Sequence, residues 1–167
     1  MLLAALGVGC SSQQLDLETA RALDAGQPVM LLPIINASST PLAGERVEAV
    51  LTTMLRMKGV GSLHAFSDQR DPDAPPELDD SLRLARALAE ARERGMRWGV
   101  TGTVVEWGYR PGLDDAPAVS VSLRVLSVDE GTVVWSGSAS RGGSGTVGAL
   151  AQEVLRSLAE GMPLGRR

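Results

Sequence analysis

One cysteine and one histidine in 167 residues leave this chain little from which to build a metal or redox centre. Cys10 has no second thiol to pair with, so an intrachain disulfide and a multi-thiolate metal site are both excluded. His64 alone cannot supply the nitrogen ligands of most zinc sites, so no metal or other cofactor is expected. Nucleophile elbows, phosphate loops with a lysine, and paired His-Glu metal motifs are all missing. No run approaches the roughly 18 apolar residues of a membrane-spanning helix, which rules out insertion by helices. Excess positive charge is lacking too: the net charge is −4, so a nucleic-acid footprint is not expected. Aromatic residues make up only 3% of the chain, and three of the five are tryptophans.

What is present reads as one folded domain. Apolar residues are 44% and charged residues 22%, ordinary values for a globular protein, and the length suffices for a sizeable core. There is no internal repeat and no domain linker. The acids are unevenly placed. Residues 68 to 80 hold Asp68, Asp71, Asp73, Glu77, Asp79 and Asp80 against the single base Arg70, a local charge of −5 that leaves +1 for the rest. A partner drawn to this segment is cationic.

The stretch around which the rest is organised is Arg97 to Trp107, read as a long central β-strand from its Thr, Val and Trp content. Val105 and Trp107 are placed on one face, Val100 and Val104 on the other. Gly99 and Gly102 inside it predict a close approach by a neighbouring element. Before it come a polar stretch with a possible short helix (Leu15, Leu17, Ala20, Leu23) and a continuously apolar strand, Pro28 to Ile35, of the kind buried on both faces. A helix follows with Thr40 as N-cap, Pro41 at its first position and a stripe of Val47, Val50, Leu51 and Met54. Then come a short strand from Ser62 to Phe66, the acidic loop Ser67 to Pro76, and a helix from Asp79 to Arg94 with the stripe Leu82, Ala85, Leu88 and Ala89. This β-α-β-α-β order implies parallel strands with right-handed crossovers.

Past Trp107 the pattern turns antiparallel. Ala118 to Val128 alternates, with Val119, Val121, Leu123 and Val125 on one face and Ser120, Ser122 and Arg124 on the other. A tight turn at Asp129-Glu130-Gly131 leads into a strand from Thr132 to Ser140, and a last helix spans Thr146 to Glu160 with the stripe Val147, Leu150, Ala151, Val154, Leu155 and Leu158. The fold class is therefore α/β (α+β), a β-α-β-α-β-β-β-α chain with a mixed sheet.

Candidate sites are few, and none points to catalysis. The Gly-Gly-Ser-Gly-Thr of 142 to 146 precedes a helix, where an anion can bind, but it lacks the lysine and spacing of a phosphate loop and reads as a flexible connection. His64, beside Leu63 and Phe66, reads as a structural histidine. Asp114 and Asp115 are either a carboxylate pair or simply solvated loop acids; acid–base chemistry needs environments that push two pKa values apart. Trp98 and Trp135 suit a core, whereas Trp107 and Tyr109 at a strand end suit a membrane interface or a neighbouring subunit. The polar row Ser120, Ser122 and Arg124 lacks an obvious helix cover and is a candidate oligomer contact. The chain is not expected to be an enzyme.

Residues 1 to 9 form an uncharged apolar run that ends at Cys10-Ser11-Ser12. This resembles the end of a bacterial lipoprotein signal with Cys10 as the lipid-bearing residue, although Gly7 stands where such signals usually have Leu. Its brevity points to Met1 as an internal methionine of a longer signal; the alternative is an unprocessed N-terminus. The expected organisation is a signal remnant over 1–9, a lipidated N-terminus and short tether over 10–27, and a domain over 28–163.

Three stretches carry a wider resemblance: Val-Met-Leu-Leu-Pro-Ile at 29 to 34, Val-Thr-Gly-Thr-Val-Val-Glu-Trp at 100 to 107, and Val-Ser-Leu-Arg-Val-Leu-Ser-Val-Asp-Glu-Gly-Thr-Val-Val-Trp-Ser-Gly at 121 to 137. With the lipoprotein cysteine they resemble the periplasmic α/β family that includes PelC, the curli secretion protein CsgG and the synthase activator LpoB. Length separates these. The 17 residues between Cys10 and Pro28 reach about 60 Å at most, short for an activator's tether, and no segments remain for membrane hairpins of the CsgG kind. The PelC type resembles the chain best. That resemblance implies an outer-membrane lipoprotein, lipid-anchored on the periplasmic face, that forms a homo-oligomeric ring beside an export porin. It also implies that Asp68, Asp71, Asp73, Glu77, Asp114 and Asp115 face a cationic polysaccharide. The alternatives are an LpoB-like activator or a CsgG-like secretion component. One departure stands out: residues 141–145 contain no aromatic residue for a membrane-facing loop.

Overall fold

The computed structural model describes residues 13–15, 23, 26–67, 79–110 and 115–165. The chain runs β1 (Gln13–Leu15), β2 (Val29–Asn36), α1 (Ala43–Met57), β3 (Leu63–Ala65), α2 (Asp80–Glu93), β4 (Trp98–Tyr109), β5 (Pro117–Ser127), β6 (Val133–Gly142) and α3 (Val147–Gly161). All six strands form one mixed sheet in the order β1-β6-β5-β4-β2-β3. From β2 onward this is the expected β-α-β-α-β-β-β-α order, with β2 parallel to both β3 and β4 and the β4–β5–β6 meander antiparallel. β4 is central, paired with β2 on one side and β5 on the other.

β1 is an addition to the expected order. Gln13 to Leu15 pair antiparallel with Ala139 to Gly137, so Leu15 lies in a strand and not in the short helix its spacing predicts. Three residues are too few for a period to show. Leu17 and Ala20 of that expected helix lie outside the described residues. Leu23 returns against the main core, its N–H donating to the Pro163 carbonyl at 2.9 Å.

Two clusters flank the sheet. The larger lies under α1 and α3 and contains Val47, Leu51 and Leu55 of α1, Val100, Val104 and Trp107 of β4, and Leu150, Val154, Leu155 and Leu158 of α3. The smaller lies on the other face, where Ala87 and Ala91 of α2 meet Met30 and Leu32 of β2, with Met96 and Val128. β2 is buried on both faces because its alternate residues feed both clusters, which is why it reads as a continuous apolar run. Right-handed crossovers place α1 and α2 on opposite faces when the chain steps from β2 out to β3 and then back across β2 to β4.

Pro33 has no N–H for the ladder, and the β2–β4 register slips between Leu31 and Ile34. The two groups this bulge displaces are recovered by side chains. Thr101 Oγ1 donates to the Pro33 carbonyl at 2.7 Å, and the Ile34 N–H donates to Glu48 Oε1 at 2.8 Å. At Gly102 β5 leaves no room for a side chain: a Cβ there would collide with the Ser122 carbonyl oxygen and stand 2.8 Å from Leu123 Cδ2.

Both helix stripes in the first half need correction. The first helix starts at Ala43 with Leu42 as N-cap, not at Pro41 with Thr40 as cap. Thr40 is spent elsewhere: its hydroxyl donates to the Trp107 carbonyl, and its own carbonyl accepts from Asn36 Nδ2 at 2.8 Å. Leu42 then takes the left-handed conformation, φ 59°, that begins the helix. The buried stripe is Ala43, Val47, Leu51 and Leu55, with Val50 and Met54 only half-buried. In α2 the stripe is Leu84, Ala87, Leu88 and Ala91, whereas Leu82 is exposed. The N-terminus fixes this rotation. Asp79 caps the helix by accepting from the Ser81 N–H at 2.8 Å, and Asp80 Oδ2 accepts from the Asn36 N–H at 3.0 Å, which points Asp80 at the sheet. The last helix follows its expected stripe, with Thr146 as N-cap accepting from the Ala149 N–H at 3.2 Å.

Candidate functional site

Among the described residues two unpartnered surfaces and one polar cluster stand out. The first surface is the face of β4, β5 and β6 away from α1 and α3. Alternation with the core row brings three polar rows into register: Thr101, Arg124 and Ser136; Thr103, Ser122 and Ser138; Glu106, Ser120 and Ser140. A second bulge, between Val104 and Glu106, adds Val105 to this face. Val104 and Trp107 are both buried, and Val105 is 57% exposed. The expected pairing of Val105 with Trp107 is therefore broken by the bulge, since one extra residue reverses the alternation. Among the described residues α2 is the helix on this side, and it rests on β2, short of β5 and β6. At one margin Arg110 grips Glu106 through two hydrogen bonds of 2.6 Å, which hold the Glu106 carboxyl below the usual carboxylate range.

The second surface is a groove of about 770 Å³ between α1 and α3 on the outside of the helix layer. Val50, Met54 and Met57 line it from α1, and Arg156, Ala159 and Glu160 from α3. Met57 is 82% exposed. The floor is fastened by Lys58, whose ammonium donates to the Ala159 carbonyl at 2.6 Å and also to those of Glu160 and Met162. A cation on the orphan carbonyls at a helix C-terminus is favourable placement. Burial lowers the Lys58 pKa from its ordinary value.

The polar cluster sits at the carboxyl end of β2. Glu48 from α1 and Asp80 from α2 each take a backbone N–H of β2, and Arg83 lies 3.4 Å from Asp80 and 3.9 Å from Glu45. Burial pushes the Glu48 carboxyl up, against the opposing pull of the Ile34 N–H and Arg83. Glu48 and Asp80 hold the two helices to the sheet, and Arg83 bridges α2 to Glu45 of α1. Among the described residues no group of three His, Cys, Asp or Glu side chains could hold a metal ion, and no helix is long and apolar enough to cross a membrane.

The residues singled out from the sequence fall as follows. Ser120, Ser122 and Arg124 lie together on the uncovered sheet face, the serines half-buried and Arg124 exposed. Trp107 faces inward and belongs to the main core at 8% exposure, so its ring is not presented to a membrane or a subunit. Tyr109, two residues on, is 58% exposed and is the aromatic this end offers. His64 is exposed on the edge strand β3 and does not pack in the interior. Asp115 is exposed in the left-handed region, φ 38°. Cys10, Asp68, Asp71, Asp73, Glu77 and Asp114 lie outside the described residues. Sequence reasoning passes over Thr103, Ser136 and Ser138 as members of the polar face, although Thr132 to Ser140 alternates as β5 does. It passes over the groove as well, because it assigns Val50 and Met54 to the core.

The whole arrangement has been seen before. PelC from Paraburkholderia phytofirmans, crystallised as a dodecamer, superposes with a TM-score of 0.72 at 27% identity over 96% of this chain and 100% of its own. A point variant of that protein, also a dodecamer, gives 0.73. This chain is built on the PelC plan. The lipoprotein GNA1162 from Neisseria meningitidis shares the fold at 19% identity, covering 80% of this chain and 99% of its own with a TM-score of 0.53. No protein-family model and no curated protein matches the chain. The PelC likeness runs through both helix layers and the meander together, since it takes in 96% of the chain.

Proposed function

We propose that this chain is a non-catalytic, lipid-anchored component of a Pel-type polysaccharide export apparatus, working as a ring at the periplasmic face of the outer membrane. The observation that carries this reading is the likeness to PelC, 27% identical over 96% of the chain with full coverage of PelC. Cys10 bears the lipid, and Asp68, Asp71, Asp73 and Glu77, with Asp114 and Asp115, meet the cationic glycan. A single exposed carboxylate contributes little, since surface ion pairs are worth about 0–1 kcal/mol. Repeated around a ring, the same segment makes a continuous negative lining that concentrates a cationic polymer. The attraction is then collective and weakens with salt as the Debye length falls below about 10 Å.

The test uses a strain lacking the chain, complemented in turn with wild type, Cys10→Ala, and the triple variant Asp71→Asn, Asp73→Asn, Glu77→Gln. Wild type restores secreted glycan. Cys10→Ala moves the protein to the soluble periplasmic fraction, and the triple variant stays membrane-bound and assembled but exports less. Full export from the triple variant returns the acidic segment to the status of a solvated connector. Undiminished secretion from the strain lacking the chain removes the export reading altogether.

A further inference from the structure

We infer that copies of this chain stack head-to-tail, the α1–α3 groove of one copy seating against the uncovered β4–β5–β6 face of the next. The inference rests on the ring proposed above and names the surfaces that close it.

A ring of identical subunits that is more than a dimer uses a heterologous contact, in which two different patches of the chain meet. The two patches must lie on different sides of the molecule. The groove with Met54 and Met57 is on the outside of the helix layer. The polar face with Val105, Ser122 and Arg124 is on the opposite side of the sheet. They are therefore back to back across one protomer, as successive contacts in a ring demand.

The layers explain why they fit. Over β2 the sheet has a helix on each face; over β5 and β6 it has α3 on one face and no described helix on the other. A neighbour's α1–α3 pair supplies the missing third layer. Packed helices lie about 8–10 Å apart, and three strands span about 10 Å at a spacing near 4.8 Å, so a helix pair matches the width of the open face. The small Ser and Thr side chains leave that face flat enough for a helix layer to approach. Val105, 57% exposed at the bulge, and Met57, 82% exposed at the groove, supply apolar contact. The charges also suit one another, with Arg124 exposed on the sheet and Glu160 exposed at the rim of the groove. Such an interface is polar at its rim and wet, which is usual for contacts between separately folded subunits.

The geometry gives a complementation test. The full chain is purified in detergent as wild type, Met57→Glu and Arg124→Glu, and masses are measured by light scattering. Both altered side chains are exposed in the single copy, and a wild-type circular dichroism spectrum with a cooperative melting transition confirms that each variant folds, the melting temperature itself falling with the loss of assembly. Wild type is a multimer, and each variant alone falls to the mass of one copy. An equimolar mixture of the two then gives particles of twice that mass, because an intact sheet face on the Met57→Glu copy meets an intact groove on the Arg124→Glu copy. Variants that assemble like wild type overturn the assignment of surfaces and leave the ring standing. Single copies that stay single in the mixture overturn the head-to-tail pairing. A wild type that is itself a single copy sinks the ring reading and this inference with it.

Discussion

Over β2 the sheet is sandwiched between α1 on one face and α2 on the other, whereas over β5 and β6 only the α3 face is covered among the described residues. The sequences of the two halves differ accordingly. Val29 to Ile34 is apolar without alternation, and Val119 to Val125 alternates strictly. The comparison teaches that hydrophobic patterning reports the number of packed layers above a strand as much as the strand itself. The β2 half is finished within one copy. Among the described residues the β5–β6 half has one face without a helix.

The largest effects lie in the shared core and sharpen that contrast. Leu51→Ala, at a fully buried position on α1 beneath the doubly covered half, should cost about 2–5 kcal/mol in urea unfolding. Ser122→Ala, on the open face, should stay within about 0.5 kcal/mol in the single copy. Comparable losses from the two would mean that the polar face is part of the folded core. Gly102→Ala tests the seam between the halves. Its new methyl meets the Ser122 carbonyl, which belongs to backbone and cannot swing away, so a loss of about 1–3 kcal/mol is expected from the same measurement. No loss would show that β4 and β5 can part at little cost.

The smallest expected effect is a slope. Burial raises the Glu48 carboxyl above its ordinary pKa near 4.5, so the folded chain holds this proton where the unfolded chain has released it. The resulting stability is complete below pH 4.5 and is lost as pH rises through the raised value. Glu48→Gln keeps an acceptor for the Ile34 N–H and removes the titration. Its urea midpoint relative to wild type should therefore improve between about pH 4 and pH 7. A difference that does not change with pH would show that Glu48 is as well solvated in the fold as in the unfolded chain.

Much of this fold is legible in the sequence, and the failures have a common cause. The stripe of α3 and the alternation of β5 are read correctly because each packs on one continuous apolar layer, so period alone decides. The rotation of α2 escapes because Asp79 and Asp80, polar groups at its start, set it through hydrogen bonds that periodicity does not register. The start of α1 slips because Thr40 has a partner 67 residues away, on Trp107. Both bulges, at Pro33 and Val105, reverse local alternation; only the first leaves a mark in the sequence, as a proline within a strand. For the candidate surfaces, the row on β5 is visible, but its counterpart on the helices is hidden. A stripe broad enough to reach past the core looks, in sequence, like more core.

The three-residue strand at the sheet's edge bears on how far the domain can stray from a membrane. Gln13 is held against Ala139 by the β1–β6 ladder. With Cys10 as the lipidated residue, the leash that counts is therefore not the 17 residues before Pro28 but the two between Cys10 and Gln13. Three residue steps at about 3.4 Å each allow an excursion of only about 10 Å. If Cys10 carries the lipid, as proposed above, such a leash would keep the β6 margin close to the lipid headgroups and orient every copy alike. Subunits held so would search for each other in two dimensions instead of three.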